Sequence, residues 1–238
     1  MKKKYIRRIS LVIMGVLLIV MVGYALSINR ADDEALEALD VDYELISGTY
    51  HVKANNALAE VVFYPGALVE PEAYLPLAEK LAKQGFNVYI PKMPLHLAIL
   101  DSGAVEKIGI DDTKPVYIGG HSLGGVAALN HVDEHREDFD GLFLIASYPQ
   151  PSVDLSEWER PVLSITASND GVMDVANYNE ALERLPDHTI QYEIYGANHS
   201  NFGNYGKQRL DEDADITRSS QQTLTANRIG SMILNNLE

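Results

Sequence analysis

Three side chains far apart in the chain could together perform acyl transfer: Ser122, Asp170 and His199. Ser122 is the centre of Gly120-His121-Ser122-Leu123-Gly124, a G-x-S-x-G pattern. An apolar stretch, Pro115 to Gly119, runs into it. A segment with small residues on its first turns (Gly124, Gly125, Ala127, Ala128) runs out of it. That is the strand–turn–helix setting of a nucleophile elbow, in which the serine hydroxyl stands at the end of a strand and the helix N-terminus favours developing negative charge. The bland alternative is a glycine-rich turn whose serine only caps the helix.

A serine nucleophile needs a base, and the base needs an orienting carboxylate. Of the seven histidines, His199 lies in the loop Gly196-Ala197-Asn198-His199, past the last strand-like segment and before the last helix-like one. His121 belongs to the elbow, with its backbone committed to the turn. His131 and His135 fall on the helix after it, His51 and His96 precede the serine, and His188 sits in a turn. For the acid, Asp170 is the first carboxylate beyond the segment Pro161 to Ala167. Asp174 is its rival, better read as a helix N-cap, and Asp154 lies in an irregular loop. An oxyanion hole needs two backbone N–H groups. Leu123 supplies one. The loop Pro65-Gly66-Ala67-Leu68 supplies the other; proline has no N–H, and Ala67 is the choice.

The elements that must position these groups follow from hydropathy and turn chemistry. Residues 43–52 read as a hairpin turning at Ser47-Gly48. Strands are expected at Ala59–Tyr64, Asn87–Ile90, Pro115–Gly119, Gly141–Ala146, Pro161–Ala167 and Thr189–Tyr195. Helices are expected at Pro71–Lys83 (stopped by Gly85), Leu123–Val132, Asp174–Leu185 and Ser219–Leu237, with 95–108 partly helical. The strands are continuous apolar runs, and strands and helices mostly alternate. The reading is therefore an α/β fold: a doubly wound, mostly parallel sheet buried on both faces, with a small antiparallel edge. Only about fourteen residues separate Ala146 from Pro161. That leaves no room for a lid and implies an open site, suited to small or soluble esters or to acyl groups on a polymer. Trp158 in this segment could line the acyl pocket, though a core or rim position is the commoner fate. Lys92 could attract an anionic substrate or be an ordinary surface lysine.

Ahead of the domain, residues 1–9 form a basic head. Ser10 to Ile28 then run 19 residues without a charge. As a helix this spans about 28 Å, close to the hydrocarbon thickness of a bilayer. The positive-inside rule places the head in the cytoplasm and the domain outside, on a transmembrane signal anchor at 10–28. Gly23-Tyr24-Ala25 would serve as the cleavage site of the competing reading, a removed signal peptide. Residues 29–42 read as a polar tether or short surface helix, and 43–238 as the catalytic domain.

Composition removes several classes. Cysteine is absent, which excludes disulfides, thiolate metal sites, a cysteine nucleophile and a lipid anchor on cysteine. The net charge is −15, and the first thirty residues hold six cations and no acid, so the domain is more acidic still. Such a surface repels phosphate backbones, and no nucleic-acid partner is expected. The proposed chemistry calls for no cofactor. One metal-type signal stands out: His131-Val132-Asp133-Glu134-His135 matches the H-x-x-E-H zinc pattern, without an evident third ligand.

The segments FYPGALVEPEAYLPLAEKL, VYIPKMPLHLAIL, GGHSLGG, TASNDGV and GANHSNFGNYGKQ resemble the α/β-hydrolase superfamily, in particular a small, lid-less bacterial branch related to dienelactone hydrolases. The resemblance spans roughly residues 43–237. It implies esterase-like chemistry with Ser122, Asp170 and His199 as a catalytic triad in that family's chain order. Where dienelactone hydrolases carry a cysteine nucleophile, this chain carries Ser122. The expected activity is that of a membrane-anchored serine carboxylic ester hydrolase. The alternatives are a non-catalytic binding module on the same scaffold and a zinc hydrolase using His131 and His135.

Overall fold

A computed structural model describes residues 16, 18, 20–111 and 113–237. Its centre is an eight-stranded sheet: β1 (Tyr43–Ile46), β2 (Thr49–Val52), β3 (Ala59–Tyr64), β4 (Phe86–Pro91), β5 (Val116–His121), β6 (Gly141–Ile145), β7 (Val162–Ala167) and β8 (Ile190–Ile194), in the order β1-β2-β4-β3-β5-β6-β7-β8. β1, β2 and β4 pair antiparallel, and every pairing from β4 to β8 is parallel. The predicted doubly wound sheet with an antiparallel edge is what forms.

Alternate residues of the central strands feed two cores, because successive side chains of a strand point to opposite faces. Val61 and Phe63 pack with α2 (Leu75–Ala82) and α5 (Arg218–Asn235) through Leu77, Leu81, Ile229 and Ile233. Val62 and Tyr64 pack with α3 (Leu123–Glu134) through Ala128, Leu129 and Val132. Two further helices lie outside this sandwich, α1 (Asp33–Glu37) and α4 (Val175–Ala181).

Three elements depart from expectation. The helix foreseen over Pro71–Lys83 is split into a 3₁₀ turn, Pro71–Tyr74, and then α2. Pro76 has no N–H to give to the Glu72 carbonyl, which instead takes the Leu75 amide in a tighter turn. Gly85, at φ +94°, then ends the segment as expected. The helix foreseen over Asp174–Leu185 is α4 followed by a 3₁₀ turn, Leu182–Arg184, with Asp174 capping it through the Asn177 amide at 3.1 Å. β8 is not buried on both faces: it is an edge strand in which only Ile194 is buried.

The C-terminal ends of the strands line up. Tyr64 pairs with Gly120, His121 with Ile145, and Ala167 with Ile194. The loops that follow β3, β5, β6, β7 and β8 therefore emerge along one rim. The elbow at that rim is tight. A Cβ on Gly124 would stand 2.1 Å from the Tyr64 carbonyl oxygen and 2.5 Å from that of Pro65. Alanine there would gain about 1 kcal/mol in helix propensity, but the clash is with backbone and costs about 1–3 kcal/mol or more. Gly124→Ala is thus expected to lower the melting temperature by several degrees; a melt equal to wild type would mean that the helix does not approach β3 so closely.

No helix among the described residues is long and apolar enough to cross a membrane. Residues 10–15, 17 and 19 of the expected anchor, and all of the basic head, lie outside the described residues.

Candidate active site

Ser122 joins β5 to α3 at φ +53°, ψ −123°, a conformation that costs a non-glycine residue energy and that the surroundings must impose. They do so through the Ser122 amide, bound to the Ile145 carbonyl at 2.8 Å, and through the close approach of Gly124 to β3. The serine is half-buried and lines a cleft of about 240 Å³, together with His199, Val126, Tyr148 and Met173. Two larger hollows, around His51 and Lys53 and around Arg136 and Arg160, include none of the three residues picked out from the sequence.

His199 Nδ1 lies 2.7 Å from Asp170 Oδ2, and both side chains are 1% exposed. The other Asp170 oxygen accepts the amides of Val172 and Met173, both at 2.8 Å. Burial alone would raise the Asp170 pKa. The bond to His199 and those two amides outweigh it and hold the carboxyl below its usual range. Asp170 is thus an anion bonded to one ring nitrogen of His199. The second ring nitrogen, Nε2, is buried and has no hydrogen-bond partner among the described residues. His199 lines the same cleft as Ser122, so the three predicted residues converge. No hydrogen bond joins Ser122 to His199 in this structure; such bonds commonly tighten only when substrate binds.

In the loop Pro65–Leu68, where the second oxyanion donor is expected, most amides already have partners. Gly66 N–H donates to the Tyr74 hydroxyl at 3.1 Å, Leu68 N–H to the His96 carbonyl at 2.8 Å, and Val69 N–H to the Gly66 carbonyl at 3.3 Å. Ala67 is left as that loop's one amide without a partner among the described residues. The Leu123 amide opens α3, where N–H groups have no intrahelical acceptor.

Two residues that the sequence reading passed over are built into this site. His121 contributes more than backbone: its ring is fully buried, 4.4 Å between centroids from that of His199, with Nδ1 2.8 Å from the Tyr74 hydroxyl. Burial first, and the His199 ring second, hold His121 well below the usual histidine range, so it packs against His199 as a neutral ring. The Tyr74 hydroxyl accepts from Gly66 and has its own proton to give to His121 Nδ1. One phenol therefore ties the loop after β3 to the turn after β5. Tyr74→Phe would leave two buried polar groups unpaired, at about 1–3 kcal/mol each. The expected fall in melting temperature is roughly 5–10 °C, with kcat reduced more than KM is changed; a melt within a degree of wild type would show that the tie carries no weight.

The second is Asp211, which is buried. Its Oδ1 accepts the amides of His199 at 3.1 Å, Gly171 at 3.4 Å and Glu212 at 3.1 Å, and its Oδ2 accepts that of Ser200 at 2.7 Å. One carboxylate thereby braces the loop that carries His199 against the loop that carries Asp170. In the sequence it is hidden in a run of acids that reads as a solvated surface.

Other candidates fall elsewhere. Trp158 does not line the cleft: it is buried beside the far end of α3, donating to the Arg136 carbonyl at 3.2 Å. Lys92 pairs with Glu72 at 3.1 Å over the Tyr50 ring. His188 contacts the Arg160 carbonyl, and Asp154 accepts the Ser156 amide. The histidine pair does find a carboxylate: Glu106 Oε1 stands 3.9 Å from His131 Nε2 and 3.8 Å from His135 Nε2. That cluster lies at the C-terminal end of α3, the opposite end from Ser122.

A sequence model of the alpha/beta hydrolase family matches residues 60–223. No curated protein sequence matches the chain. Among solved structures, the chain is similar to dienelactone hydrolase from Anabaena variabilis, at 18% identity and TM-score 0.62 over 83% of this chain and 99% of that one. It is similar to the esterase domain of a Rhodothermus marinus protein, at 14% identity and TM-score 0.63 over 84% and 100%. It is also similar to a monoacylglycerol lipase of Paleococcus ferrophilus, at 15% identity and TM-score 0.56 over 77% and 99%. At these identities the likenesses speak for the fold, and with the family match over most of the domain they lead to one statement: the chain belongs to the α/β-hydrolase superfamily.

Proposed function

We propose that this protein is a serine hydrolase of carboxylic esters, exported and held at the membrane by its N-terminal segment. The observation that carries the reading is the Asp170–His199 pair: His199 lines the cleft that Ser122 shares, and its Nε2 has no other partner among the described residues.

In this reading Ser122 Oγ attacks the ester carbonyl carbon while His199 Nε2 takes the hydroxyl proton. The carbonyl electron pair moves to oxygen, where the Ala67 and Leu123 N–H groups receive it. The tetrahedral adduct collapses, the bond to the alcohol breaks, and His199 returns the proton to the departing alkoxide. Water then attacks the acyl-serine, losing a proton to His199; in the second collapse the bond to Ser122 Oγ breaks, His199 returns that proton to Oγ, and the acid is released. Asp170 keeps the Nδ1 proton in place and stabilises the imidazolium at each half-step. Every step uses the chain's own groups. The cleft is small and the segment between β6 and β7 is short, which suits a short acyl group or the reacting end of a longer one.

The anchor is supported by the uncharged run Ser10–Ile28 behind its basic head. The test combines two measurements on the full chain. A fluorophosphonate probe should label wild type, and the protein should stay in the membrane pellet after alkaline extraction. An unlabelled protein that hydrolyses no short p-nitrophenyl ester would point to a binding module instead. Hydrolysis abolished by a chelator without any probe labelling would point to zinc chemistry at His131 and His135. Release into the supernatant would end the anchor.

A further inference from the structure

The chain between the N-terminal helix and the domain is stitched to the two loops that form the site. The helix ends at Ser27. Asn29 then bridges in parallel to Val69. Its backbone N–H and its Nδ2 both donate to the Leu68 carbonyl, at 2.7 and 3.2 Å, and Glu70 N–H donates back to the Asn29 carbonyl at 3.0 Å. Leu68 is the neighbour of Ala67. Ala31 bridges antiparallel to Tyr205, with its amide on the Glu70 carboxylate at 2.9 Å, and Asp32 N–H donates to the Asn204 carbonyl at 2.8 Å. Tyr205 and Asn204 lie on the segment that follows His199. Bridged strands stand about 4.8 Å apart, so the helix leaves the domain one strand's width from the oxyanion loop.

Several large apolar side chains near that exit are bare. Met21 and Leu26 on the helix are 67% and 81% exposed. Tyr24 reaches the domain, its hydroxyl 3.1 Å from His96 Nδ1, and beside this contact Leu95 is 61% exposed and Leu100 55%. Water is a poor solvent for such a patch, and it is continuous with the uncharged run expected to enter the bilayer.

From this we infer that the catalytic rim faces the membrane surface and that the substrate is an ester held in that membrane by its own hydrocarbon chain. The inference rests on the anchored serine hydrolase proposed above. If Ser10–Ile28 fills the hydrocarbon, Asn29 lies at the interface, and Ala67 lies within a few ångströms of Asn29. The lid-less cleft then receives the ester group and its first carbons, while the rest of the chain stays in the lipid. Leu95 and Leu100 would dip into the headgroup boundary, where apolar faces sink about 5–10 Å.

The test uses the full chain in phosphatidylcholine vesicles with two fluorogenic esters, one water-soluble and short, the other carried on a lipid in the same vesicles. A Gly-Ser linker of about 20 residues between Ile28 and Asn29 keeps the stitches but lets the domain wander by about 25 Å. Both proteins should hydrolyse the soluble ester equally, and the linker variant should hydrolyse the embedded ester at least about 10-fold more slowly. Equal rates on the embedded ester overturn the inference while leaving the hydrolase intact. Failure of wild type on both esters, with no probe labelling, would instead remove the hydrolase reading and this inference with it. A readout independent of turnover is Leu95→Trp: brominated lipids should quench the added tryptophan and spare the wild-type emission of Trp158, which lies at the far end of α3. An unquenched Leu95→Trp protein would also overturn it.

Discussion

Replacing Ser122 by alanine is expected to lower the kcat for a short p-nitrophenyl ester by about 10⁶-fold and to abolish fluorophosphonate labelling. The size follows from the position. Without Oγ no acyl-enzyme forms, and the remaining groups can only assist direct attack by water. The Ala67 and Leu123 amides would still polarise a bound carbonyl, so a residue of catalysis should survive above the uncatalysed rate. The fold should be untouched, because Ser122 Oγ holds no part of it together. Ser122→Gly extends the test to the backbone. The strain at φ +53°, ψ −123° is of order 1–3 kcal/mol, whereas glycine costs about 0.5–1 kcal/mol in chain entropy. Ser122→Gly should therefore be inactive and melt at or slightly above wild type. Full labelling of Ser122→Ala would place the nucleophile elsewhere. A Ser122→Gly protein that melts well below wild type would show that the elbow is not strained.

The second large effect belongs to Asp170→Asn, expected to lower kcat by about 10⁴-fold with little change in KM. The hydrogen bonds dictate the reason. Val172 and Met173 both donate to one oxygen of Asp170, and His199 Nδ1 meets the other. An asparagine here must keep its carbonyl oxygen on the two amides. Its NH₂ then faces His199 Nδ1, which has to present a lone pair, so the ring proton moves to Nε2. An imidazole protonated at Nε2 cannot take a proton from Ser122. The substitution also changes acid stability. The Asp170 pKa is depressed in the folded state, so its contribution is present above the unfolded value of about 3.9 and is lost as pH falls through the folded one. Asp170→Asn should remove that part of the acid sensitivity. Activity near wild type in Asp170→Asn would show that the carboxylate does not orient the base.

Much of this site can be read from the chain because its parts are local. The Gly120–Gly124 turn declares itself by the apolar strand before it and the small residues after it. His199 and Asp170 stand directly past strands whose runs of Val, Ile and Leu or alternating Tyr and Ile mark them. Strand positions follow for the same reason, and the residues of β3 agree with expectation from end to end. What stays hidden depends on contacts between distant segments. His121 looks like turn filler until Tyr74 arrives from another element. Asp211 looks solvated among Glu212, Asp213 and Asp215 until four amides close on it. Glu106 is anonymous until a 3₁₀ segment, Ser102–Lys107, lays it beside His131 and His135. The 3₁₀ turn before α2 is a different kind of omission, since the proline that causes it is plain in the sequence.

The Asp211 brace bears on how the rate is achieved. Its carboxylate gathers amides from the segments of both His199 and Asp170, so the two loops are fastened before any ester arrives. Orienting an imidazole against its counter-ion loses entropy. In the proposed mechanism that loss would be taken during folding and would not recur at each turnover, leaving more of an ester's binding energy to act on the barrier.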